Sequence, residues 1–177
     1  MRTAPVPMML LADSVRAAGY KVVLTGEGAD EAFGGYDIFK EAKLRRFWSR
    51  QPESRVRPML LKRLYPYMKN IQSQPPAYLR AFFGVKPQTV GHPFFSHLPR
   101  FELTSKLKAF FTPEVLAAPF DHDPLLEAEG RLPLAFASWD GFSQSQYLEA
   151  RGLMPGYILS SQGDRMTMAN SIEGRFP

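Results

Sequence analysis

Gly26 to Tyr36, GEGADEAFGGY, sets three carboxylates, Glu27, Asp30 and Glu31, within five positions and surrounds them with four glycines. Carboxylates at this density repel one another unless a cation or hydrogen-bond donors offset the charge, and their oxygens are hard enough to hold magnesium. Gly26 and Gly28 would let the backbone approach the flat or phosphorylated face of a ligand. The same residues admit a plainer reading, an acidic turn capping a short helix from Ala29 to Phe33, because carboxylates are favourable at helix N-termini. Spacing alone does not choose between them. Other chemistries fall away: with no cysteine the chain has no thiolate nucleophile, no disulfide and no sulfur ligand for a metal. His92, His97 and His122 are scattered among prolines, which disfavours a histidine metal site or a Ser-His-Asp triad and leaves structural histidines as the default.

The acidic turn follows YKVVLT, Tyr20 to Thr25, a short β-branched run of the kind that forms a strand buried on both faces of a parallel sheet. Before it, Met9, Leu10, Ala12 and Val15 fall at helical spacing and Gly19 marks the stop. A helix feeding a buried strand predicts an α/β sheet, in which ligands bind beyond the carboxyl ends of the strands. Thr25 to Gly28 would lie there. Downstream, Ile38, Phe39, Ala42, Phe47 and Trp48 outline an amphipathic helix ended by Pro52. Ser54 to Met68 reads as a basic helix broken by Pro58 and Pro66, and Pro75 and Pro76 open another. Val85 to Phe101 is expected to be irregular but packed. Thr112, Pro113 and Glu114 cap a brief helix that ends before Pro119, and Leu134 to Arg151 can hold a longer one despite Gly141. The final residues, to Pro177, show no terminal element of their own.

At 177 residues, 45% hydrophobic and 22% charged, the chain is an ordinary packable one of about one domain. Nothing approaches the roughly 20 consecutive apolar residues of a spanning helix, so a soluble, cytoplasmic protein is expected. The net charge of +5 is unevenly placed. Ten basic residues between Lys40 and Lys69 face only Glu41 and Glu53, a local excess of eight, and the rest of the chain is −3. Such a block is either a solvated helix face or a surface for a polyanion.

VVLTGEGADEAFGGY resembles the signature of the asparagine synthetase family: a strand, a Ser or Thr, GEG, a small residue, DE, and FGGY. QGDRMTMANSIEGRFP is similar to the family's second signature, in the correct order. The leading RTAPVPMMLLADSVRAAG resembles the helix before the first motif, whereas Trp48 to Leu132 adds little. The resemblance implies an α/β, adenine nucleotide alpha hydrolase-like fold with a parallel sheet, mostly helical over this stretch with one or two strands. It implies an ATP-pyrophosphatase-type synthetase that adenylates a carboxylic acid, aspartate in asparagine synthetase, for attack by ammonia released from glutamine in a separate domain. Transferred by position, Thr25, Gly26 and Gly28 contact ATP, Glu27 lies near the adenylated carboxylate, and Asp30 helps bind Mg2+. Asp164, Arg165, Glu173 and Arg175 line or brace the acid side, or form an internal ion-pair network.

The departures carry their own expectation. The family's phosphate loop, a serine, two glycines and an aspartate-serine pair, does not occur in residues 1–177, nor does the cysteine on which glutaminase activity depends. The chain is therefore expected to be part of a synthetase domain, without the phosphate loop, the glutaminase domain or the C-terminal end, and to turn over little alone. Two alternatives stand beside it: a relative that amidates or cyclises another acid, as β-lactam synthetases do, and a basic helical module that grips nucleic acid. No aromatic residues interleave with the basic block at a recognisable nucleic-acid motif, which disfavours the second. Association into a homo-oligomer is compatible with all three.

Overall fold

A computed structural model describes residues 3–117 and 122–176, so the stop expected at Pro119 lies outside the described residues. They divide into two compact units, residues 1–36 with 146–177, and residues 37–145. Among them the secondary structure is mostly helical with two parallel strands.

In the first unit, helix α1, Pro5–Ala17, opens on a proline, whose missing N–H costs nothing in a first turn. Its buried face is Met8 and Ala12, one helical turn apart, while Met9 and Leu10 lie in solvent. The expected face was therefore right at Ala12, partly so at half-buried Val15, and wrong at Met9 and Leu10: in an unbroken apolar run, spacing does not say which side turns inward. Strand β1, Val22–Leu24, is shorter than the apolar run, and it is not buried on both faces, since Val22 is 48% and Leu24 80% exposed. Its partner is β2, Glu173–Arg175, parallel and in the register Val22 to Glu173, Val23 to Gly174 and Leu24 to Arg175. The chain end thus does form an element, which its polar residues conceal. Helix α2, Ala29–Phe33, follows β1 as expected.

The return into β2 is the least ordinary part of the backbone. Over Glu149–Asp164 the chain forms a 16-residue π-helix that includes Pro155, and α-helix resumes only at Arg165–Met168. π-Helices are rare and mostly single-turn features inside α-helices. Helix α1 packs against this segment and against Arg165–Met168, enclosing Ile158, Thr167 and Ile172.

The second unit begins with α3, Asp37–Ser49, which buries Ile38, Phe39, Ala42 and Trp48 as the pattern requires but leaves Phe47 outside, under the Arg57 guanidinium at 4.0 Å. The basic helix expected over Ser54 to Met68 is only a turn at Arg57–Met59 and a helix at Leu60–Leu64, because the prolines leave no room for more. Helix Pro76–Phe83 starts at its proline, and Trp48, Leu61, Tyr65, Leu79 and Phe83 form one apolar cluster. Phe94 to His97 are irregular and buried, His97 with its Nδ1 2.8 Å from the Ser96 hydroxyl, a structural histidine. The short helix after Thr112 forms, and the longer one starts at Gly141, not Leu134, because Asp140 accepts the N–H groups of Phe142 and Ser143.

The basic block is not a uniformly solvated face. Arg45 is buried, donating to the carbonyls of Phe83 at 3.3 Å and Phe95 at 2.9 Å and stacking 4.5 Å over the Phe95 ring. Beside it Glu41, 1% exposed, receives both arms of the Arg100 guanidinium at 2.9 Å and the Tyr65 hydroxyl at 2.6 Å.

Candidate functional site

The pairing of β1 with β2 brings the two sequence motifs together. Past the last paired residues, the Thr25 N–H donates to the Arg175 carbonyl at 3.0 Å, and on the other side the Glu173 N–H donates to Lys21 at 2.8 Å. The strand then gives way to a turn closed by the Ala29 N–H on the Gly26 carbonyl at 3.1 Å. Gly28 stands at φ +93°, ψ −13°, left-handed territory where a side chain is strained, and it caps α2. The backbone bends here because glycine alone adopts that angle without penalty.

The three carboxylates diverge. Glu31 is 2% exposed and accepts the Tyr36 hydroxyl on Oε1 at 2.9 Å, while its Oε2 has no partner. Glu27 is half-buried with Oε2 shielded and unpartnered, and Asp30 points out to solvent. The Asp30 carboxylate rests where Gly35 carries no side chain: a Cβ there would collide with its Oδ1. Burial, followed by the bond and charge of Glu31 and the charges of Asp30 and Glu149, pushes the Tyr36 hydroxyl above its ordinary pKa, so it stays a neutral donor. Tyr36 and Glu31 are thus structural partners within the turn. The FGGY tyrosine, five residues from the last carboxylate, is the sequence signal that identifies this pair.

Thr25 supplies a second unmet group, a hydroxyl Oγ1 out of contact with water and without a hydrogen-bond partner. Buried polar atoms without partners are few in native proteins and call for an explanation. Here two of them, on Thr25 and Glu27, flank the exposed backbone of Gly26. A nucleotide fits this arrangement, with a hydroxyl, open backbone and a bend at the end of a strand. Magnesium fits differently from the sequence expectation: no group of three or more carboxylates and imidazoles converges among the described residues. Asp30 alone is turned outward, and one or two carboxylates completed by phosphate oxygens and water is the usual way a protein holds this ion.

The four acid-side candidates are all exposed. Glu173 and Arg175, two apart on a strand and so on one face, pair with each other at 2.6 Å. Asp164 closes the π segment and its carbonyl accepts the Thr167 hydroxyl at 3.1 Å, and Arg165 begins the last helix. The expected internal network is thus a single surface ion pair.

The strand end thus joins two motifs distant in sequence at a glycine turn, beside two buried polar atoms without partners. The asparagine synthase family model matches residues 1–177, and the chain belongs to that family, a family of ligases. Among curated relatives, an amidase of Penicillium rubens, chyE, is 29% identical over 96% of this chain and 25% of its own. Glutamine-hydrolysing asparagine synthetase 1 of Saccharomyces cerevisiae is 54% identical over 22% of this chain and 7% of its own. Asparagine synthetase B of Escherichia coli is 51% identical over the same shares. The chain spans about a quarter of the length of the relatives it matches along most of its own length. No solved structure matches it, and none of its described helices is long and apolar enough to cross a membrane.

Proposed function

We propose that the chain forms part of an ATP-dependent, amide-forming ligase of the adenine nucleotide alpha hydrolase-like type, which adenylates the side-chain carboxylate of aspartate for attack by ammonia. The observation that carries this is the bond from the Thr25 N–H to the Arg175 carbonyl: it joins both family motifs at one strand end, where the Thr25 hydroxyl and Glu27 Oε2 await partners. In this reading Thr25, Gly26 and Gly28 meet ATP, with the hydroxyl donating to a phosphate oxygen and the open backbone taking the nucleotide's face. Glu27 faces the acid being activated, where its unsatisfied oxygen can accept a proton from the incoming amine. Asp30 is the ligand offered to magnesium, which when bound neutralises charge on the departing pyrophosphate. Asp164, Arg165, Glu173 and Arg175 border the acid, and Arg175 is the cation suited to its second carboxylate. Ammonia comes from a glutaminase domain in the same cytoplasmic enzyme.

A second reading, amidation of another acid, draws support from the Penicillium amidase, which resembles this chain over nearly all of it. The site residues are the same and the acid alone differs. Calorimetric titration of the full chain tests the shared core. ATP with magnesium is expected to bind saturably, binding weakens without magnesium, and Asp30→Asn abolishes the magnesium dependence. Binding that ignores both magnesium and Asp30 contradicts the assignment. Aspartate set against other amino acids and carboxylic acids, added to the nucleotide complex, then separates the two readings.

A further inference from the structure

The second unit carries a cleft of about 340 Å3 built from its own residues, near the end of helix Pro76–Phe83. That helix stops when the Gly84 N–H closes on the Arg80 carbonyl at 2.9 Å, an approach so tight that a side chain at 84 would strike the same carbonyl. The backbone then runs extended and carries Val85 and Lys86 to the cleft wall. Trp48 backs another side, 3% exposed and with its indole N–H already given to the Pro52 carbonyl at 3.1 Å, so it underlies the cleft and offers no donor. Pro52, Ala81 and Val85 supply the apolar surface.

The charges in the cleft do not balance. Arg80 and Lys86 face Glu53 as the single lining carboxylate, and neither cation joins an ion pair among the described residues. Arg80 gives one N–H to the Ser54 carbonyl at 3.0 Å, while its Nε is buried with no acceptor. The N–H groups at the outer end of the guanidinium, beyond the one given to Ser54, form a planar fork suited to a carboxylate.

We propose that this cleft binds a small monocarboxylate with a compact apolar body: the carboxylate meets Arg80 and Lys86, and the body lies against Pro52, Ala81 and Val85, with Trp48 beneath. The excess of one positive charge suits a monoanion and leaves a phosphate dianion overcharged. The volume is at the low end of small-molecule pockets, which suits a compact ligand. The site is independent of the nucleotide reading of the Thr25 turn.

Trp48 is itself the reporter. With Trp139→Phe, it is the sole tryptophan of the full chain. Its emission is expected to respond saturably to benzoate, and tenfold or more less sensitively to the neutral isostere benzyl alcohol or to inorganic phosphate. Arg80→Gln raises the benzoate Kd at least tenfold. Lys86→Gln, on an exposed side chain without an ion pair, raises it severalfold with an unchanged circular dichroism spectrum, and Glu53→Gln lowers it. Equal binding of benzyl alcohol, equal binding of phosphate, a Kd indifferent to Lys86→Gln, or no saturable response to benzoate each overturns the proposal.

Discussion

Removing Arg100 should unbalance the second unit more than its half-exposed position suggests. Glu41 is 1% exposed, and its charge is met by two guanidinium bonds at 2.9 Å and one tyrosine hydroxyl at 2.6 Å. Arg100→Met leaves the carboxylate buried with Tyr65 as its remaining donor. Breaking a buried pair from one side typically costs ~3–5 kcal/mol. The Arg100 side chain is 43% exposed, so water can partly replace it, and about 2 kcal/mol is the expected loss after that discount. Glu41→Leu strands the opposite partner, whose exposed guanidinium recovers water, but leaves the Tyr65 hydroxyl unmet, at about 1–2 kcal/mol. The double variant replaces the pair with apolar side chains and should cost less than the two losses added, with a coupling of at least ~1.5 kcal/mol. Urea unfolding of the parent, both single variants and the double variant, followed by circular dichroism, measures this directly. Additive losses, with coupling below ~0.5 kcal/mol, would show that the pair is a surface contact and refute the reasoning.

Two further outcomes follow from the same geometry. Burial, then the charge and hydrogen bond of Glu41, partly offset by Arg100, raise the Tyr65 hydroxyl well above its ordinary pKa. A raised folded pKa makes its contribution complete below the unfolded value of about 10 and lost as pH rises towards the folded one. The urea midpoint should therefore hold steady from pH 7 to about 9.5 and then fall, with Tyr65 contributing about 1.4 kcal/mol per pH unit; Tyr65→Phe should make that fall shallower, and an unchanged slope would contradict it. Gly35→Ala puts a methyl where the Asp30 carboxylate lies, so it should weaken magnesium-dependent ATP binding about tenfold, judged by the calorimetric titration, while the urea midpoint moves far less than with a core truncation such as Leu79→Ala, expected at ~2–5 kcal/mol.

What could be read from the sequence tracks how local the determining forces are. The turn after β1 was legible because glycines and carboxylates at fixed offsets dictate its bend, and Gly28 indeed occupies the angle that only glycine takes freely. Pro76 opened its helix for an equally local reason. Strand β2 was hidden because Glu173, Gly174 and Arg175 have no strand pattern: they are extended because β1 pairs with them from some 150 positions away. Glu41 and Arg45 look solvated in a basic helix, but their partners stand 24 to 59 residues away in the chain. Their spacing from Ile38 and Trp48, three, four and three positions, places all four on one helical stripe and was the available clue. The π segment has no such clue, and nothing in its residues explains its length.

Of the candidate site, Thr25 to Asp30 and the tail motif are the segments the sequence singles out, and the strand pairing adds their adjacency. The convergence of three carboxylates around a cation does not occur among the described residues, because successive residues of a helix are turned about 100° apart: Glu31 turns into the unit and Asp30 out.

The most direct test is amide chemical-shift mapping of the 20.0 kDa chain with magnesium and ATP. The account predicts that the largest shifts cluster at Thr25 to Asp30 and at Glu173 to Arg175, and that Thr25→Val suppresses both sets together. Shifts confined to the basic residues between Lys40 and Lys69, with the turn after β1 silent, would contradict it.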